Sequence, residues 1–269
     1  MRFFIRLSYC GLNYHGWQVQ PNATSVQGEL DHALSVLLRE EIHTTGAGRT
    51  DAGVSARMMV AHFDTSAAFE PEQLAYKLNR FLPPDIAVQE VYKVASTAHA
   101  RFDALSRTYH YYIYKEKDPF RSAFAARFSY PLDFEKMNAA ARMLFDVRDF
   151  TSFSKTHTDV KTNICRVTAA QWREVEDGLW RFEITADRFL RNMVRAVVGT
   201  LVEVGRGRMS LEGFRAVIDK KDRCAAADSV PGNALYLVDI RYPETIYETM
   251  ENDSKKGGEE DAPKLQEED

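Results

Sequence analysis

Cysteine is scarce in this chain: it has three, Cys10, Cys165 and Cys224, far apart and in no CxxC pair. An odd, scattered set argues against a disulfide framework or a zinc ribbon and suits a reducing, cytoplasmic setting. Long apolar runs are missing too, since no stretch approaches the roughly 18 uninterrupted apolar residues of a membrane-spanning helix. The opening MRFFIRLSYC has Arg2 and Arg6 inside a short alternating apolar run, which reads as a strand rather than a signal peptide. The seven histidines include no i, i+4 pair, so no metal centre is expected.

Net positive charge is also lacking, at −4 over 269 residues, which at first weighs against a nucleic-acid partner. Its location matters more than its sum. Residues 251–269, ENDSKKGGEEDAPKLQEED, hold eight acids and three bases, and without them the net charge becomes +1. Such a stretch cannot bury enough apolar surface to offset its ordering entropy, so a disordered acidic tail is expected over 246–269. Its expected role is to weaken non-specific RNA binding. The near-neutral body can still carry a basic face toward RNA or DNA.

What is present is enough apolar sequence, 45%, for a sizeable core. Residues 2–9 alternate like a strand. Thr24-Ser25-Val26-Gln27 reads as a capping box opening a helix with Val26, Leu30, Ala33, Leu34, Leu37 and Leu38 on one face. A strand over 59–63, a helix from Pro71 with Leu74, Leu78 and Phe81 inward, and a strand over 86–94 complete a first half, 1–104. In the second half, 105–245, RTYHYYIY over 107–114 is β-branched and aromatic, and Asp133 can cap a helix burying Met137, Ala141, Leu144 and Phe145. Strands over 164–175 and 179–186, helices over 187–204 and 210–220, and a strand over 235–242 follow. Strands mixed with helix pairs, without strict βαβ alternation, predict an α+β fold with a mostly antiparallel sheet. The polar run 154–162 reads as a mobile loop.

GAGRTDAGVSA, residues 46–56, is the stretch with the most chemistry. Its three glycines permit tight turning around one guanidinium, Arg49, and one carboxylate, Asp51. A phosphate-binding loop is excluded because Val54 stands where the lysine should be, and a dinucleotide fingerprint because the loop leaves a helix and enters a strand. The bland alternative is a glycine turn in which Asp51 accepts backbone N–H groups and pairs with Arg49.

GRTDAGV resembles the active-site signature of the TruA family of pseudouridine synthases. YHGWQVQP, LPPDIAV, AHARFDALSRTYHYYIY, DFTSFSK, RFLRNMVRAVVGTLVEVG and GNALYLVDIRYP resemble further blocks in family order over residues 3–243. One departure is Ser55, where the family commonly has histidine; it is expected to alter local packing. The resemblance implies the pseudouridine synthase fold: two related α/β-sandwich-like halves sharing an extended antiparallel sheet, with the active cleft between them. It implies a homodimer acting on tRNA at positions 38, 39 and 40, in the anticodon stem-loop, with no cofactor and no metal.

The same resemblance assigns roles. Asp51 would be the nucleophile, attacking sugar or base or assisting elimination to a glycal, and Arg195 its cationic partner, which holds a carboxylate ionised. On the predicted helix Arg188, Arg191 and Arg195 share a face, which by itself reads equally as a solvated basic stripe. Tyr109 would stack on the flipped base and is a candidate proton acceptor, though with Tyr111 and Ile113 it also reads as core. Arg49 would fill the gap left by that base or bind its phosphate, and Leu235 would line an apolar pocket. Independently of the resemblance, the polar loop from Lys155 to Lys161 is expected to be a further RNA contact. The competing readings are a non-catalytic tRNA-binding protein on the same scaffold and an unrelated carboxylate hydrolase, whose metal would lack an acidic ligand cluster.

Overall fold

The computed structural model describes residues 1–155 and 162–247. Residues 156–161 of the expected mobile loop and 248–269 of the acidic tail lie outside the described residues. In chain order the elements are β1 (Arg2–Tyr9), α1 (Val26–Leu38), β2 (Thr45–Gly46), β3 (Ser55–Asp64), α2 (Pro71–Phe81) and β4 (Ile86–Val94). They continue with β5 (Ser106–Tyr114), β6 (Ala126–Arg127), α3 (Phe134–Arg142), β7 (Val167–Glu176), β8 (Leu179–Ala186), α4 (Met193–Gly205), α5 (Leu211–Lys220) and β9 (Leu235–Arg241).

One mixed sheet runs β4-β1-β3-β9-β5-β8-β7, with β2 added to β3 and β6 to β5. Along this path every neighbour is antiparallel except at the centre, where β3 and β9 run parallel through two pairs, Ser55↔Tyr236 and Ala56↔Leu237. That short seam joins strands from the two ends of the chain. It also puts the end of the glycine loop, at Ser55, beside the start of β9. The expected α+β architecture with a largely antiparallel sheet is what the chain adopts.

Both faces of β1 are covered, Phe3 packing on Phe69 and Phe4, on the other face, on Tyr242, so Phe3, Phe4 and Ile5 are all buried rather than strictly alternating. Covering both faces of a central strand removes the reason to alternate. Its register is pinned at one end by Arg2, which donates from Nε and Nη2 to the two Asp64 oxygens at 2.9 and 2.7 Å. In the second half, β5 carries Tyr109, Tyr111 and Ile113 inward as the period of two predicts, and Phe134 of α3 stacks on Trp180 of β8 at 3.5 Å between centroids.

Several local expectations are corrected. Ser25, not Thr24, caps α1, its hydroxyl accepting from Gly28 N–H at 3.2 Å. Gln27 closes no box, because its amide donates to the Thr44 carbonyl at 2.7 Å and ties α1 to the strand ahead of the glycine loop. Phe81 is 44% exposed because α2 ends there and the chain turns extended at Leu82. Phe145 is 38% exposed because α3 stops at Arg142 and a tighter 3-10 turn, Met143–Asp146, changes the side-chain period from 3.6 to 3.

The largest correction concerns α4, which begins at Met193 rather than at 187. Asp187 Oδ1 accepts from Arg166 N–H and Arg188 N–H at 2.8 and 2.7 Å, and Asn192 takes a left-handed φ of 66°. Both features stop helix growth toward the N-terminus. Arg188 and Arg191 are therefore not on the helical face of Arg195.

Candidate active site

The glycine loop is held from beneath by residues 9–17. Tyr9 Oη and Thr50 Oγ1 are 2.8 Å apart, Trp17 N–H donates to the Thr50 carbonyl at 3.3 Å, and Gly53 N–H donates to the Tyr14 carbonyl at 3.2 Å. Gly16, at φ 98°, passes so close that a Cβ there would lie 2.3 Å from the Thr50 carbonyl oxygen. On the loop itself Gly53 needs its glycine, with φ of 77° and Asn233 against it; Gly48 faces open space. The segment 9–17 thus leaves Thr50 and Asp51 little freedom.

Asp51 meets Arg195 of α4, with Nη1 3.2 Å from Oδ2, and both side chains are about a quarter exposed, at 25% and 22%. Arg195 Nε donates to the Val230 carbonyl at 2.7 Å, while Val230 N–H donates to the Arg195 carbonyl at 3.2 Å. The guanidinium is thus fixed at one edge before it reaches the carboxylate. The stretch ahead of β9 supplies this anchor and is itself held by Tyr111, whose hydroxyl donates to the Pro231 carbonyl at 3.0 Å. A carboxylate held by a fixed, fork-shaped cation in a partly enclosed site keeps one orientation toward a ligand. Arg49 is exposed and does not pair with Asp51, so the simple glycine-turn pairing is not what forms.

A cleft of about 380 Å³ opens at this pair, lined by Asp51, Lys155, Asn192, Arg195 and Arg223. Its rim is cationic, which suits an anionic ligand. Asn192 and Arg223, not singled out in the sequence, are brought there by Ser229, whose hydroxyl oxygen takes Asn192 Nδ2 and Arg223 Nη2. No local signal marks either one, since both depend on a distant loop. A larger groove of about 470 Å³ near Cys10, Arg57, Asp85 and Tyr236 contains neither Asp51 nor Arg195. The cleft with the carboxylate–arginine pair is the better place for chemistry.

Tyr109 lies outside the residues lining that cleft, 8% exposed, edge-on to Phe189 at 5.0 Å. Burial raises its phenol to about 12, with nearby Arg107 opposing and the negative Asp51 adding to the rise. At neutral pH it is therefore a hydroxyl rather than a phenolate, fit to stack or hydrogen-bond; that value lends no support to proton acceptance. Leu235 is buried opposite Tyr111 and does not line the cleft either. Lys155, at the start of the polar loop, does line it. Ser55 is buried, and its hydroxyl accepts from Gly11 N–H at 3.0 Å. It serves the cradle under the loop.

Among the described residues no group of three or more His, Cys, Asp or Glu side chains could hold a metal ion, and no helix is long and apolar enough to cross a membrane.

Known proteins resemble this chain along most of its length. The family described as tRNA pseudouridine synthase matches residues 7–103 and 140–243. The chain is 58% identical over 248 residues to a protein of Bacteroides thetaiotaomicron named tRNA pseudouridine synthase A, covering 91% of this chain and 92% of that one. A protein of the same name from Porphyromonas gingivalis is 52% identical over 249 residues, covering 91% and 99%. The Bacillus subtilis protein of that name is 40% identical over 246 residues, covering 90% and 99%. With the match covering most of the chain and the Asp51 and Arg195 segments inside it, the chain belongs to the tRNA pseudouridine synthase family.

Proposed function

We propose that this protein converts uridine to pseudouridine in the anticodon stem-loop of tRNA, with Asp51 as the nucleophile toward a flipped-out nucleotide, working as a cytoplasmic homodimer. The observation that carries the reading is the Asp51–Arg195 pair at the cationic cleft of a chain in this family. The reaction breaks the C1′–N1 bond and forms C1′–C5, with a proton lost from C5 and one gained at N1. Atoms and charge balance within the nucleotide, so no oxidant or cofactor enters.

Each residue then has a task set by its chemistry. Arg195, fixed by Val230, pairs with Asp51 and aims it. The target must leave its stack, at a cost of a few kcal/mol. Stacking on the Tyr109 ring recovers about 1–3 kcal/mol of that. Leu235, buried opposite Tyr111, supports the apolar packing behind the site rather than the cleft surface itself. Arg49, exposed beside Asp51, takes the vacated position or the phosphate of the flipped nucleotide. Lys155, Arg223 and Asn192 contact the backbone at the rim, where recognition rests on shape and phosphates more than base edges.

The test is tritium release from tRNA labelled at uridine C5, for the parent and Asp51→Ala, followed by mapping of the modified positions. Release by the parent alone, confined to the anticodon arm, is expected. An inactive parent that still binds tRNA would instead make the chain a binding protein on this scaffold.

A further inference from the structure

Residues 99–105, between β4 and β5, form an ordered turn that the cleft chemistry does not use. His99 Nδ1 accepts the N–H groups of Arg101 and Phe102 at 3.1 and 3.3 Å, and Asp103 Oδ2 accepts that of His99 at 2.7 Å. At the tip the Phe102 ring is 75% exposed, yet it is braced by the His99 ring at 4.2 Å and the Arg101 guanidinium at 5.7 Å. An aromatic face held out in water beside guanidinium groups is a surface on which an unpaired base can stack.

Arg107 of β5 fixes where this turn sits. Its guanidinium donates to the carbonyls of Ala104 at 2.9 Å, Asp187 at 2.8 Å, Ala47 at 3.0 Å and Arg101. Ala47 precedes Arg49 by two residues and Asp187 adjoins Arg188, so one side chain gathers the three segments bearing Arg49, Arg101 and Arg188. These guanidinium groups feel one another: burial and the charges of Arg49 and Arg188 hold Arg101 below the usual arginine range. Among the described residues, none of the three has an acidic partner. Unneutralised guanidinium groups match phosphates, and an adjacent aromatic face matches an unpaired base.

We propose that Arg101, Arg188 and Phe102, next to Arg49, form a contact outside the cleft for the unpaired RNA strand flanking the target nucleotide, arginines on phosphates and the Phe102 ring on a base. This rests on the tRNA reading above, and it adds a surface to it. Phe102 is a platform residue here, and Arg107 a positioning residue that sets the platform's distance from Asp51.

The experiment is equilibrium binding of a fluorescently labelled anticodon-arm hairpin and of an equally long blunt RNA duplex, across a potassium chloride series. Parent, Arg101→Ala and Phe102→Ala are compared, with melting curves to show that each is folded. Phe102→Ala should weaken hairpin binding roughly 5- to 150-fold, spare the duplex and leave the salt dependence unchanged. Arg101→Ala should weaken both RNAs and lower the slope of log affinity against log salt by about 0.7–0.9. Hairpin affinities within about twofold of the parent would overturn the proposal, as would equal losses on hairpin and duplex for Phe102→Ala; unchanged RNA binding would point to a protein partner instead. Tritium release by the parent is read separately. A parent that binds as described but makes no product would sink the catalytic reading and leave this surface standing.

Discussion

Arg195 and Asp51, 144 residues apart in sequence, meet at 3.2 Å because Val230 holds the opposite edge of the guanidinium at 2.7 Å. The pair depends on a fork-shaped donor with two directions, one toward a backbone carbonyl and one toward a carboxylate.

Arg195→Lys should therefore fail to rescue what Arg195→Ala loses. A lysine keeps the charge but cannot serve both directions from one planar group. Both variants should lower the single-turnover rate by about 10²-fold or more, in line with the removal of one preorganised electrostatic group. tRNA affinity should change far less. A lysine variant of near-parental rate would show that charge alone suffices.

Tyr9 is a buried residue whose hydroxyl lies 2.8 Å from Thr50, directly before Asp51. Burial pushes its phenol well above the ordinary range, so it stays a hydroxyl at working pH. Tyr9→Phe leaves Thr50 Oγ1 without that partner and should cost about 1 kcal/mol in chemical denaturation. The informative readout is a fall in kcat with KM held. Equal activity with reduced stability would confine Tyr9 to folding.

Ser55→Ala should be nearly silent in chemistry and costly in stability. The substitution leaves the buried Gly11 N–H without the oxygen it now meets at 3.0 Å. A loss of about 1–3 kcal/mol is expected for such an orphaned donor, measured by urea unfolding. A variant as stable as the parent would mean that water reaches Gly11.

His62 makes stability fall on the acid side. Burial, reinforced by the positive charges of Arg2 and His99, depresses it from the ordinary 6.5 to about 4. Its Nδ1 accepts Ala100 N–H at 3.2 Å, which a protonated ring cannot do. The unfolded chain binds this proton more readily, so the contribution is fully present above about pH 6.5 and is lost as pH falls through 4. Thermal melts at pH 7, 6, 5 and 4 should show a steeper decline for the parent than for His62→Gln. Parallel declines would remove His62 as the cause.

Much of this protein is legible in the sequence because it is decided by near neighbours. The alternating and aromatic runs make β1 and β5 strands, Asp133 caps α3 through Lys136 N–H at 2.9 Å, and Pro71 begins α2 in the first turn. The glycine loop announces Asp51 by composition. What stayed illegible depends on groups brought together only after the chain closes. Asp187 and a left-handed Asn192 shorten α4 and separate Arg188 from Arg195; Ser229 draws Asn192 and Arg223 to the cleft; Arg107 ties three segments together. Periodicity and capping are fixed within a few residues, so the sequence by itself determines them. The side-chain-to-carbonyl bonds of Arg195 and Arg107 cross the fold, and their partners exist only once the sheet has aligned its two halves, so the tertiary structure alone decides them.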